Sequence, residues 1–184
     1  MAKSIFAGIN RVKPLVSATY HGRGRYLQRI ERIKLEEDRA GVPMFIIEMT
    51  VLHVLDNEGS HPTAHRVGET VSFLVKKSNV DYFGREISAF VKNVLEEDLT
   101  QMSDEESESI IEAIVADQQP LAGTVVETFG RHKVGDDGQE KCYCSFKREV
   151  PASEVAEVLN EHEIGLFFPG GRLEQLIALE KSQA

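Results

Sequence analysis

Arginine, lysine and tyrosine recur along this chain in strand-like stretches, and that grouping points to one kind of chemistry. The run Gly22-Arg23-Gly24-Arg25-Tyr26-Leu27-Gln28-Arg29-Ile30-Glu31-Arg32-Ile33-Lys34 sets four arginines around one tyrosine. Lys76 and Lys77 close a later apolar run, Arg131 and Lys133 follow another, and Tyr143 stands between Lys141 and Lys147. Guanidinium and ammonium groups pair with backbone phosphates, while a flat ring stacks on a base without reading its identity. We expect Arg23, Arg25, Arg29, Arg32, Lys76, Lys77, Arg131, Lys133 and Lys147 to form a phosphate track. Tyr26 and Tyr143 are the expected stacking residues, each stacked base contributing roughly 1–3 kcal/mol. The plainer alternatives are solvated surface charge for the cations and core packing for the rings. Phe45, Phe73 and Phe146 alternate with apolar residues and read as core.

The net charge of -9 does not fit an evenly basic nucleic-acid binder, but the charge is unevenly placed. Residues 1–34 hold eight basic residues against Glu31 alone, whereas residues 96–117 hold nine acids and neither Lys nor Arg. The first block is electropositive; the second reads as a solvated helix face or as a surface for a protein partner. No apolar run approaches the roughly 20 residues of a membrane span. The apolar part of the N-terminus is too short for a signal peptide, so a cytoplasmic protein without membrane association is expected.

The residues that could hold a metal do not add up to a site. His53, His61 and His65 lie close in sequence, but no cysteine or suitably spaced carboxylate completes a ligand set, and they read as solvated loop histidines. Cys142 and Cys144 alternate along a strand and read as small buried thiols on one face, too few for zinc. No cofactor is implied. A search for a P-loop, G-x-S-x-G, H-E-x-x-H or a dinucleotide fingerprint finds none, which argues against an enzyme.

The elements that must position these side chains follow from periodicity. Residues 22–34 and 44–55 form a long hairpin around a polar turn, the first strand needing a bulge because Leu27, Ile30 and Ile33 are spaced by three. Val67-Gly68-Glu69 turns into a third strand over 70–77. Two helices follow, one with Ile87, Phe90, Val91, Val94 and Leu95 as its apolar stripe and Asp81 as cap, the other opened by a Ser103/Glu106 capping box. Strands four and five cover 123–130 and 141–148, joined through a Gly135-Asp136-Asp137-Gly138 turn. A helix over 152–163, an apolar segment at 165–171 and a last helix over 172–181 complete the chain.

Three strands, helices, then two strands is the element order of an OB-fold, a five-stranded Greek-key barrel with a helix between strands three and four. The expected fold is thus α+β: an N-terminal arm over 1–21, an OB-fold domain over 22–150 and a helical C-terminal extension over 151–184. Gly24-Arg25-Tyr26-Leu27-Gln28-Arg29-Ile30, Glu48-Met49-Thr50-Val51-Leu52, Val67-Gly68-Glu69-Thr70-Val71, Phe90-Val91-Lys92-Asn93-Val94-Leu95 and Gln119-Pro120-Leu121-Ala122-Gly123 carry a family likeness. From about Gly22 to Val150 the chain resembles the small single-stranded DNA-binding proteins of tailed bacteriophages. That resemblance implies an OB-fold that coats single-stranded DNA during phage replication or recombination, in the host cytoplasm.

The family tends to end in an acidic tail that recruits partners. This chain ends Leu176-Ile177-Ala178-Leu179-Glu180-Lys181-Ser182-Gln183-Ala184, mixed in charge, which leaves the internal acidic block to recruit replication or recombination proteins. The C-terminal extension, with Phe167 and Phe168, is equally a candidate for homo-oligomer contacts or for a strap over the barrel. The competing class is an OB-fold protein-interaction or structural module of a phage replication or virion assembly. A continuous positive groove across strands one to three favours nucleic acid; a divided one favours the protein module.

Overall fold

Alternation along two long strands sets up a sheet with two apolar faces. In the computed structural model, which describes residues 22–56, 65–78, 80–134, 138 and 140–183, β1 (Gly24–Glu37) pairs with β2 (Pro43–Asp56) as the expected antiparallel hairpin. β3 (Thr70–Lys76), β4 (Val125–Val134) and β5 (Glu140–Glu149) complete one antiparallel sheet in the order β3-β2-β1-β4-β5. The 1–21 arm, His61, and the turn at 135–137 lie outside the described residues, as do the side chains of Asp81, Lys133 and Cys142.

The irregular spacing in β1 is resolved by a bulge. The ladder to β2 shifts between Ile30 and Arg32, so Tyr26, Ile30 and Ile33 all reach one buried face, while Leu27 faces the other side. Gly24 opens the strand at φ +126, where a Cβ would sit 2.9 Å from the Tyr26 hydroxyl oxygen, so only glycine fits.

The inner face carries the main core: Phe45, Ile47, Met49 and Val51 from β2, Val71, Phe73 and Val75 from β3, and Cys144 and Phe146 from β5. Helix α1 (Val80–Val94) lays Ile87, Phe90, Val91 and Val94 onto it, and α2 (Asp104–Val115) adds Ile114. Each such side chain, fully buried, contributes roughly 1.5–3 kcal/mol. The Phe90 ring meets Phe45 at 6.0 Å and Phe146 at 4.9 Å. The Ser103/Glu106 capping box forms as expected.

The sheet is not closed. The described ladders end at β3 and β5, though the Phe73 and Phe146 rings of these two edge strands meet edge-on at 5.2 Å. The Gln-Pro-Leu-x-Gly stretch explains how β4 finds its register: Gly123, at φ +94, donates to the Ile30 carbonyl at 2.8 Å, and Ile30 donates to Thr124 at 2.9 Å. The Gln119 side chain accepts from the Ile33 amide at 2.6 Å and donates to the Ile33 carbonyl at 2.9 Å, completing β1 beyond the end of β4.

The 151–184 segment is helical but divided differently from expectation. The single helix over 152–163 is instead α3 (Ala152–Val158) and α4 (Glu161–Phe167), broken at Leu159 and restarted by a capping box between Asn160 and Glu163. Most of the expected apolar segment lies in α4 and a 3₁₀ turn at Pro169–Gly171, before α5 (Arg172–Gln183). These helices pack Val155, Leu159, Phe167, Phe168 and Leu173 onto Leu27, Leu52 and Val125, a second core on the outer face of the sheet. No helix among the described residues is long and apolar enough to cross a membrane.

Candidate nucleic-acid interface

Strand parity and register decide which of the expected site residues come together. On the outer face, Arg25 of β1 lies opposite Phe129 of β4, which lies opposite Ser145 of β5; one step further, Arg131 lies opposite Tyr143. The β4–β5 ladder shifts at Glu127/Thr128, which leaves Lys147 outside the pairing, and its ammonium stands 5.5 Å from the centre of the Phe129 ring. Arg25, Arg131 and Lys147 are exposed, and Phe129 and Tyr143 half-buried. Lys133 continues the same strand parity, opposite Lys141. Four expected residues, Arg25, Arg131, Tyr143 and Lys147, therefore gather with Phe129 on the outer face of β1, β4 and β5.

Charge within this patch is set by Glu127, nearly buried between β1 and β5. It accepts from Arg25 at 2.6 Å and from Arg148 at 3.2 Å. Its hydrogen bond and charge hold the Arg25 guanidinium above its ordinary pKa. Arg148 also donates to both oxygens of Glu154, which ties β5 to α3 and holds the Glu154 carboxyl below the usual carboxylate range.

Tyr26 is not a stacking residue. Its ring is wholly buried in the main core, its hydroxyl donates to the Arg23 carbonyl, and the His65 amide donates to it at 3.2 Å. The physical reason is parity: Tyr26 shares the inner face with Gln28 and Ile30, while the arginines on either side point outward. His65 likewise departs from expectation. It is buried rather than solvated, its Nε2 accepting from the Gly22 amide at 2.5 Å and its Nδ1 lying 3.1 Å from Glu69.

The remaining cations do not extend the patch across β1, β2 and β3. Arg29 lies under the C-terminal helices, donating to Glu31 at 2.7 Å and to the Phe167 carbonyl, with its guanidinium 5.8 Å from the Phe168 ring centre. Arg32 is exposed opposite Glu48, beside Lys34, which is itself paired with Glu48 at 2.8 Å and Glu36 at 3.4 Å. Lys76 is paired with Asp38 at 3.1 Å, and Lys77 is exposed just beyond β3. Arg23 precedes β1 and is half-buried. The helical layer over Leu27, Leu52 and Val125 thus separates Arg32 and Lys76 from the group around Phe129.

Sequence reasoning missed Phe129, Glu127 and Arg148. Phe129 was legible, since it alternates with Arg131 and Lys133 along one strand. Arg148 was not, because the shift in the β4–β5 ladder changes its parity relative to Tyr143. No protein-family model matches the chain, and no curated protein matches it.

Proposed function

We propose that this chain is a single-stranded DNA-binding protein of the OB-fold type, its curled sheet serving as a barrel that coats single strands with little sequence preference. The observation that supports this reading is the aromatic–cationic face of β1, β4 and β5, where Phe129 and Tyr143 offer stacking surfaces among Arg25, Arg131 and Lys147. Such a face suits a flexible strand with splayed bases better than a duplex, whose bases are stacked on one another. Its role is binding rather than catalysis, in phage DNA replication or recombination in the host cytoplasm. The exposed acids of α2 are the proposed surface for replication or recombination proteins. Leu166 and Leu179, exposed on the C-terminal helices, are the proposed homo-oligomer contacts.

A second reading is favoured by one observation. The C-terminal helices divide the cations of the outer face, and several of those on β1–β3 are already paired with carboxylates. A divided track fits a protein-interaction module. Fluorescence anisotropy with a labelled thymidine oligonucleotide, at low and moderate salt and with duplex DNA as control, decides between them. Tight, salt-sensitive binding to the single strand alone supports the first reading; no binding at low salt replaces it with the second.

A further inference from the structure

We propose that the bound strand continues past the β5 edge onto the start of α1, where Tyr82 and Arg85 form a second stacking and phosphate-binding station. This rests on the single-strand-binding reading and extends its site beyond the sheet.

Helix α1 lies along the β5 edge. The Asn93 side chain donates to the Phe146 carbonyl at 2.9 Å, and the Phe90 and Phe146 rings meet edge-on. From Asn93 back to Tyr82 is about three helical turns, or roughly 16 Å. From Phe146 back to Tyr143 is three residues, or roughly 10 Å. α1 packs more extensively on β5 than on any other element, and Phe146 lies near the end of that strand. The helix therefore runs back along β5 from Asn93, and Tyr82 and Tyr143 stand toward the same end of the pair. Burial, then the Glu86 carboxylate, then Tyr143 hold the Tyr82 hydroxyl above its ordinary pKa.

The station on α1 repeats the one on the sheet. The Arg85 guanidinium carbon lies 5.8 Å from the Tyr82 ring centre, as the Lys147 ammonium lies 5.5 Å from that of Phe129. Tyr82 is half-buried against the main core and Arg85 is exposed. With Arg85 exposed and Tyr82 only half-buried, the ring face under this guanidinium is one that solvent reaches. An arriving base can take that face while the cation turns to the adjoining phosphate. Tyr143, at the edge strand, is the step between the two stations.

The test uses the full chain and thymidine oligonucleotides of about 4 and about 16 nucleotides, the range of site sizes for such domains. Tyr82→Leu, which keeps apolar contact with the core but loses the flat ring, is expected to weaken binding of the long oligomer by about fivefold or more, with the short one unchanged. Tyr82→Phe retains the long-oligomer affinity. Arg85→Ala is expected to lower the slope of log affinity against log salt by about 0.7 for the long oligomer alone. Because the chain has no tryptophan, tyrosine emission reports the contact directly, and long-oligomer quenching falls in Tyr82→Leu. If Tyr82→Leu loses its fold by circular dichroism, Arg85→Ala decides the matter alone, since that side chain is exposed. Wild-type affinity and salt slope for the long oligomer in both variants, with Lys147→Ala still weakening it, overturns the α1 station and leaves the sheet face standing. Absence of binding by the unaltered protein overturns both.

Discussion

Arg25 on β1 and Glu127 on β4 meet in an ion pair of 2.6 Å, and the same carboxylate accepts from Arg148 of β5 at 3.2 Å. One nearly buried acid thus restrains two cations at the border of the proposed binding face. A phosphate approaching that border must compete with Glu127 for both guanidinium groups. Removing the charge therefore has opposite effects on stability and on binding. Glu127→Gln is expected to cost about 1 kcal/mol of stability, because charge-assisted hydrogen bonds between strands weaken while the exposed arginine ends stay screened by solvent. The same change frees Arg25, while Arg148 stays held by Glu154, so single-strand affinity at low salt rises and the salt slope steepens by up to about 0.7. Urea melts and salt-titrated anisotropy on one preparation check both halves; a fall in affinity by the folded variant refutes the account of Glu127 as a competitor.

The position of the proposed binding face makes a second prediction. Phe129→Leu and Tyr143→Leu remove flat rings and are each expected to weaken binding by about fivefold or more. Arg131→Ala and Lys147→Ala each lower the salt slope by about 0.7. Arg32→Ala and Lys76→Ala alter cations beyond the helical layer, one of them already paired with Asp38, and leave the slope nearly unchanged. A larger loss from Arg32→Ala than from Lys147→Ala moves the site to the β1–β3 half of the sheet.

The contrast between Tyr26 and Tyr143 shows what a sequence discloses about such a face. Both stand among basic residues, yet one is core and the other borders the surface. Parity separates them: Tyr26 alternates in step with Gln28 and Ile30, whereas Tyr143 alternates in step with Ser145 and Lys141. The succession of three strands, helices and two strands along the chain, and the core roles of Phe45, Phe73 and Phe146, follow from the same periodicity. The partial covering of Arg29 does not. An amphipathic C-terminal helix must cover something, but its sequence does not say which sheet face, so the Phe167 carbonyl over Arg29 is a tertiary outcome. The Asn160–Glu163 capping box was legible, being the same spacing read correctly at Ser103.

Placing Tyr26 in the core has its own test. Its hydroxyl links the Arg23 carbonyl to the His65 amide, joining the start of β1 to the segment that leads into β3. Tyr26→Phe keeps the ring and removes that link. We expect a loss of about 1–2 kcal/mol in a urea melt and no change in single-strand affinity while the protein is folded. A stable variant with weakened binding instead returns Tyr26 to the interface.

Gln119 is a local clamp with a local readout. It reaches from a backbone at φ +48 to both polar groups of Ile33, where β1 has run past its pairing with β4. In Gln119→Ala the Ile33 amide loses its acceptor. Hydrogen exchange at Ile33 is expected to accelerate far more than at Tyr26 or Gln28, which keep their β4 neighbours, with a global cost of roughly 1–3 kcal/mol. Uniform acceleration across β1 would show that the whole sheet, not the clamp, had loosened.

The end of β5 carries a pH dependence whose sign can be worked out. Glu149 is pushed above the usual carboxylate range first by burial, then by Glu180 and by Glu96. Glu180 is itself held close, accepting from the Ala152 and Ser153 amides at the start of α3 at 2.5 and 3.3 Å. A raised carboxyl binds its proton more tightly in the folded chain than in the unfolded one. Its contribution to stability is therefore fully present below the ordinary value of 4.5 and is lost as pH rises through the folded value. At neutral pH the folded protein carries a charge that burial and two other carboxylates disfavour. Glu149→Gln is thus expected to melt at a higher temperature than the unaltered chain at pH 7, with the difference shrinking as pH falls below 4.5. Glu180→Gln, by weakening the contact at α3, is expected to melt lower at pH 7. Melts of all three proteins across that range check the assignment: a Glu149→Gln advantage that grows on acidification reverses the sign and refutes it.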